Sequence, residues 1–135
     1  MDDKTFKLEI VTPHKVVFSD NVTHVRAPGI AGSFGVLANH TPFLTALGVG
    51  AIEVEQGKNE IIFATSGGYA EVMHNKMTVL VESAEEASEI DVERAKQARD
   101  RALKRLQNKN PDVDLDRAKG ALTRALNRLT IASRK

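Results

Sequence analysis

The spacing of apolar residues changes period once along this chain, and that change limits what it can fold into. Up to about residue 87 apolar and polar residues alternate: Phe6, Leu8 and Ile10 with Thr5, Lys7 and Glu9; Ile52 and Val54 with Glu53 and Glu55; Met77, Val79 and Val81 with Lys76, Thr78 and Leu80. A period of two sends successive side chains to opposite faces of a strand. Beyond that point Ala95, Ala98, Ala102 and Leu106, then Leu115, Ala118, Leu122, Ala125, Leu129 and Ala132, recur at steps of three and four, the period of an amphipathic helix. Turn-forming stretches separate the strands: "TPHK" from Thr12, "PGIAG" from Pro28, "EQGKNE" from Glu55, "SGG" from Ser66 and "MHNK" from Met73. With no helical crossover between them, these strands predict a compact β-sandwich or barrel. The short break "QNKNP" between the two helices predicts that they form an antiparallel hairpin. The boundary falls between Glu85 and Glu89, dividing the chain into units 1–86 and 87–135.

Charge follows the same boundary. Residues 1–87 carry six Lys/Arg against eleven Asp/Glu, and residues 88–135 thirteen against seven, so −5 and +6 give the net +1. All six aromatics and eight of nine glycines fall in the first part. There is no cysteine, which excludes disulfides and thiolate metal sites and leaves a cytoplasmic setting as the expectation. The opening "MDDKTFKLEI" lacks the basic-then-apolar order of a secretory signal, and no apolar run approaches the ~20 residues that span a bilayer. The expectation is a soluble chain without an export signal.

At the helix starts, Ser88 followed by Asp91 predicts a capping box. "NPDVD" from Asn110 predicts a cap, a first-turn proline and acids at the positive helix end. The alanine-rich stripes permit close approach but bury little apolar area, at about 25 cal/mol per Å², so the hairpin is expected to detach readily.

Catalytic chemistry finds little support. The four histidines (His14, His24, His40, His74) have neither ligand spacing nor a carboxylate cluster. "GSFG" at Gly32–Gly35 and "SGG" at Ser66–Gly68 read as turns, since neither forms a strand-to-helix nucleophile elbow. The basic tail has a more regular pattern. Arg94, Arg101 and Arg105 are spaced by seven and four, as are Arg117, Arg124 and Arg128, placing each set on one side of its helix. Folded antiparallel, the two flanks bring arginine near arginine, with Asp114 able to neutralise Arg105 near the loop. Such arginines are either solvated, paired with acids of another subunit, or closed over a polyphosphate. The tail has no aromatic residue for base stacking, and the β unit is acidic, which argues against nucleic acid.

"GSFGVLANHTPFLTAL" from Gly32 to Leu47 resembles the signature Gly-x-Leu-Gly-Ile-x-x-x-His-x-Pro-Leu of the epsilon subunit family of F-type ATP synthases, delta in mitochondria. "SGGYAEV" from Ser66 is similar to that family's Ser-Gly-Gly-x-x-Glu-Val, and order, spacing and the two-part layout agree over essentially the whole chain. Two departures stand out: Ala38-Asn39 occupies the place of Pro-Gly before the histidine, and Ser33 that of a frequent acidic residue. The resemblance implies a ten-stranded β-sandwich, a C-terminal helical hairpin and a non-catalytic place in the central stalk. There the sandwich would bind the gamma subunit and the ring of c subunits, with Ser33, Phe34 and His40 at the interface. It implies peripheral attachment to the cytoplasmic face of a bacterial plasma membrane. In bacterial members the hairpin can also extend along gamma toward the catalytic alpha and beta subunits and block ATP hydrolysis.

"IDVERA" matches the Ile/Leu-Asp-x-x-Arg-Ala element with which some bacterial members bind ATP, through Ile90, Asp91, Arg94 and Ala95. A carboxylate accepts from an adenine amino group while guanidinium groups fork onto phosphate oxygens. Arg101, Arg124 and Arg128 would complete the phosphate pocket, and Glu85 would add an acceptor. ATP would then be a regulatory ligand that favours the folded hairpin. The same six residues also start a helix well, so a structural use competes. A free-standing ATP-binding sensor outside any rotary complex is the alternative function class.

Overall fold

The computed structural model describes residues 4–108 and 110–134, so Lys109 of the predicted "QNKNP" break lies outside the described residues. The chain forms two compact units, Met1–Glu86 and Ala87–Lys135.

The first unit contains ten strands: β1 (Phe6–Val11), β2 (Val16–Val22), β3 (His24–Gly29), β4 (Gly32–Leu37), β5 (Phe43–Leu47), β6 (Gly50–Gln56), β7 (Asn59–Thr65), β8 (Gly68–Met73), β9 (Lys76–Val81) and β10 (Ala84–Glu86). They hydrogen-bond in the order β10-β7-β6-β3-β5-β8-β9-β1-β2, with β4 paired to β3. β1 and β9 run parallel, joining the first strand to the end of a meander. Gln56 closes the open side by donating to the Asn21 carbonyl at 2.9 Å.

Alternation decides which residues form the core. Leu8, Ile10, Val25, Ile52, Val54, Met77 and Val79 are fully buried in one cluster, and their sequence neighbours face outward. The Phe18 and Phe63 rings meet edge to face at 6.0 Å. The "SGG" turn is glycine for a steric reason. Gly67 and Gly68 have φ of +113° and +155°, and a Cβ on Gly68 would collide with the Leu80 carbonyl.

The second unit begins with a 3₁₀ turn (Ala87–Glu89), followed by α1 (Val92–Gln107) and α2 (Leu115–Ala132). Helix pairing rests on small residues: Ala95, Ala102, Ala118 and Ala125 are buried, joined by Ile131 and Ala132. Both predicted caps move. Ser88 lies within the 3₁₀ turn, and Asp91 caps α1 by accepting from the Arg94 amide at 3.0 Å. Asn110 and Pro111 precede α2, whose cap is Asp114, accepting from the Arg117 amide at 3.0 Å. Asn110 instead organises the turn, its side chain accepting from Asp112 N at 3.0 Å.

These matching caps belong to a longer repeat. Asp91–Leu106 and Asp114–Leu129 align without a gap, with ten of sixteen residues identical, including Arg94/Arg117, Ala95/Ala118, Ala102/Ala125 and Leu103/Leu126. The hairpin is therefore close to one helix used twice in opposite directions.

Candidate functional site

Two surfaces carry the candidate residues, one on each unit. On the β unit, the register of β5, β8, β9 and β1 aligns Ala46 with Tyr69, Tyr69 with Leu80, and Leu80 with Val11. Tyr69 and Leu80 stand 60% and 54% exposed. The next row is Leu44, Glu71, Thr78 and Glu9, and beyond it lie Met73, Lys76 and Lys7. This face therefore passes from an apolar band through an acidic row to a basic one. A groove of about 390 Å³ runs beside the apolar band between Val11, Pro13, Tyr69 and Leu80.

Within this face Glu9 pairs with Lys76 at 2.9 Å, and that hydrogen bond and charge hold its carboxyl below its ordinary value. Near the closing edge, the Asn21 amide at 2.8 Å and then the Gln56 side chain lower the Asp20 carboxyl.

The residues carried over from the interface signature lie around β4 and the loop after it. Ser33 is exposed opposite Pro28. Phe34 is half-buried and meets Phe43 edge to face at 5.1 Å, and His40 lies 6.0 Å from Phe43. His40 Nδ1 is 2.7 Å from the Thr41 carbonyl, which can only accept, so Nδ1 carries the proton and Nε2 is left for another partner. Asn39 has φ +62°. Asn tolerates this left-handed geometry, so it serves where the resembled signature has glycine, and the chain turns into His40 despite the departure.

On the helical unit, Asp91 uses one carboxylate oxygen as a cap. Ile90 and Ala95 are buried, while Arg94, Arg101 and Arg124 are exposed and make no ion pair with the described residues. Arg128 is partly buried, and Glu85 lies in β10 of the other unit, paired in register with Ala64. A Cβ on Gly120 would stand 3.2 Å from Arg124 Nη1, so the glycine leaves room for that guanidinium to lie back along α2. At the loop end Arg105, Arg117, Asp112 and Asp114 line one depression of about 440 Å³. The expected Asp114–Arg105 ion pair does not form: the Asp114 carboxylate is turned to the start of α2, where it accepts from the Arg117 amide.

Sequence reasoning missed the apolar row because Leu80 and Tyr69 read as ordinary strand residues; the signal was a large apolar residue on the outward beat of the alternation. The equal spacing of Arg94, Arg101 and Arg105 and of Arg117, Arg124 and Arg128 is part of the longer repeat, which a self-alignment at an offset of 23 residues exposes.

The β-sandwich domain of the ATP synthase delta/epsilon chain matches residues 5–87, and the long α-helix domain of the same chain matches residues 88–133. A protein of Nitratidesulfovibrio vulgaris (strain DP4) named ATP synthase epsilon chain is 53% identical over 105 residues, covering 77% of this chain and 78% of its own length. A protein of the same name from Desulfosudis oleivorans is 52% identical over 106 residues, covering 78% and 80%. Among solved structures, a chain of the Euglena gracilis mitochondrial ATP synthase aligns over 100% of this chain and 84% of its own, with TM-score 0.81 and 22% identity. A chain of the Tetrahymena thermophila mitochondrial ATP synthase central stalk and c-ring covers 99% and 98%, with TM-score 0.58 and 15% identity. At those identities the structural matches speak for the fold.

Proposed function

This chain belongs to the ATP synthase delta/epsilon family, and from that premise we propose that it is a non-catalytic rotor subunit in the central stalk of a bacterial F-type ATP synthase. The β unit docks on the gamma subunit and reaches the ring of c subunits. The complex holds the chain at the cytoplasmic face of the plasma membrane. The observation that carries this reading is the apolar row of Ala46, Tyr69, Leu80 and Val11, with Tyr69 and Leu80 exposed and the other two half-buried, a surface suited to a protein partner.

The helical unit acts as a mobile brake on ATP hydrolysis. Its buried stripe is mostly alanine, so its internal packing costs little to rearrange, and the exposed guanidinium groups of Arg94, Arg101 and Arg124 suit acidic segments of the alpha and beta subunits. ATP binding through Asp91, Arg94, Arg101, Arg124 and Arg128 favours the inactive brake. Unpaired guanidinium groups on Arg94, Arg101 and Arg124 support this part, since phosphate oxygens are their natural acceptors.

Purification of the tagged chain from its own cells tests the first part. Gamma and the catalytic subunits should come down with it, and a Leu80→Glu variant should lose them. Recovery of the chain alone would instead favour the free-standing sensor. Calorimetric titration with ATP and ADP tests the second. Selective ATP binding that disappears in Arg94→Ala supports the gate, and unchanged binding in that variant contradicts it.

A further inference from the structure

The loop that presents His40 is held by a residue distant in sequence. β8 and β9 are joined by a two-residue turn, His74-Asn75, with φ of +51° and +57°, flanked by the Met73–Lys76 pair. This is the left-handed turn that matches the twist of a hairpin, and Asn is among the few residues that enter it at low cost. Asn75 does more than turn the chain. Its Oδ1 accepts from the Asn39 amide at 2.7 Å, and its Nδ2 donates to the Thr5 carbonyl at 3.0 Å. Its own carbonyl accepts from the Lys7 amide at 3.3 Å. One residue thus ties together the entry to β1, the β8–β9 turn and the loop between β4 and β5.

Asn39 is where this tie has the most effect. It is held at φ +62°, and its neighbour His40 begins the contacts that run through Phe43 to Phe34. A non-glycine residue in the left-handed region pays a conformational cost, which a short hydrogen bond to its amide offsets. Ala38-Asn39 is a sequence without the rigidity of a proline before the turn or the freedom of glycine within it, and the carboxamide of Asn75 supplies the missing constraint.

We propose that Asn75 is the positioning residue of the His40 loop, fixing Asn39 in its left-handed conformation and thereby setting the angle at which His40, Phe43 and Phe34 meet the partner subunit. The last clause rests on the docking of the β unit in the proposed function and on the place at the interface that the family resemblance gives Ser33, Phe34 and His40. Asn75 touches the loop through Asn39 and acts on docking through it.

The test uses the full chain with three substitutions. Asn75→Gly keeps the turn conformation while removing both side-chain bonds; Asn75→Asp keeps the acceptor for the Asn39 amide; His40→Ala removes the presented ring. Amide exchange at Asn39, followed by NMR, reads the tie without any partner. Affinity for ATP synthase stripped of this subunit reads docking. Asn75→Gly should accelerate exchange at Asn39 about fivefold and weaken docking about fivefold, the loss of roughly one hydrogen bond. Asn75→Asp should preserve most of both. Unchanged exchange in Asn75→Gly overturns the tie. Faster exchange with unchanged docking overturns the role in positioning if His40→Ala docks poorly. If His40→Ala docks as well as the natural chain, the interface reading fails and takes the inference with it.

Discussion

The two units solve the packing problem with opposite materials. The β unit buries large side chains, among them Leu8, Ile10, Ile52, Phe63 and Met77, and most of its strands are hydrogen-bonded on both edges. The helical unit is centred on Ala95, Ala102, Ala118 and Ala125. Burial energy scales with apolar area, about 25 cal/mol per Å², so a methyl group contributes a fraction of what leucine or phenylalanine does. Non-local strand pairing and large side chains make a rigid platform. Small side chains on two helices of similar sequence bury less apolar area per contact, which suits the mobile brake proposed for this unit.

The largest effect that would sharpen this contrast is in the β core. Ile52→Ala should cost about 2–5 kcal/mol and lower the thermal midpoint of the whole β unit, followed by near-ultraviolet circular dichroism. A cost well under 1 kcal/mol would mean the β core is no more tightly specified than the hairpin. Next comes the hairpin seam, where Ala102→Leu should cost about 1–3 kcal/mol because the neighbouring helix leaves no room for the added carbons. The helical signal should melt earlier while β1–β10 keep their stability. A concerted shift of both signals would break the comparison.

The repeat predicts a smaller, paired effect. Asp91→Ala and Asp114→Ala each remove a cap bond to the amide three residues on, and each should cost about 1 kcal/mol of helix stability. If only one does, the two halves of the hairpin are not equivalent in energy. The smallest effect concerns acid. The folded state lowers the Glu9 carboxyl through Lys76. The resulting stabilisation is fully present above the ordinary value of 4.5 and is lost as pH falls through the lower folded value. Glu9→Gln should lessen the acid sensitivity of the β unit in that window and leave its stability at neutral pH slightly reduced. Denaturant midpoints at several pH values measure it.

Alternation and helical period made the architecture legible because a buried face must be apolar at the period of its element, and both units obey that rule. Cap positions were not legible in the same way. "SEID" and "NPDVD" each offer several residues able to accept from a helix amide, and the choice fell to the acid that lies four residues before a buried alanine, Asp91 before Ala95 and Asp114 before Ala118. The signature residues Ser33, Phe34 and His40 could be named from sequence, as could the arginines of the tail. Asn75 could not, since its two side-chain bonds join residues 36 and 70 positions away and leave no local pattern. The apolar row was hidden for a related reason: Val11, Ala46, Tyr69 and Leu80 come from four strands, and register alone makes them neighbours.

The central claim is a division of labour between a docking unit and a regulatory one. Its most direct test is to add the full chain, and the chain ended after Glu86, to ATP synthase stripped of this subunit, and to measure both association and ATP hydrolysis. The account predicts that the shortened chain still joins the complex but no longer inhibits hydrolysis. Inhibition by the shortened chain equal to that of the full chain would contradict it.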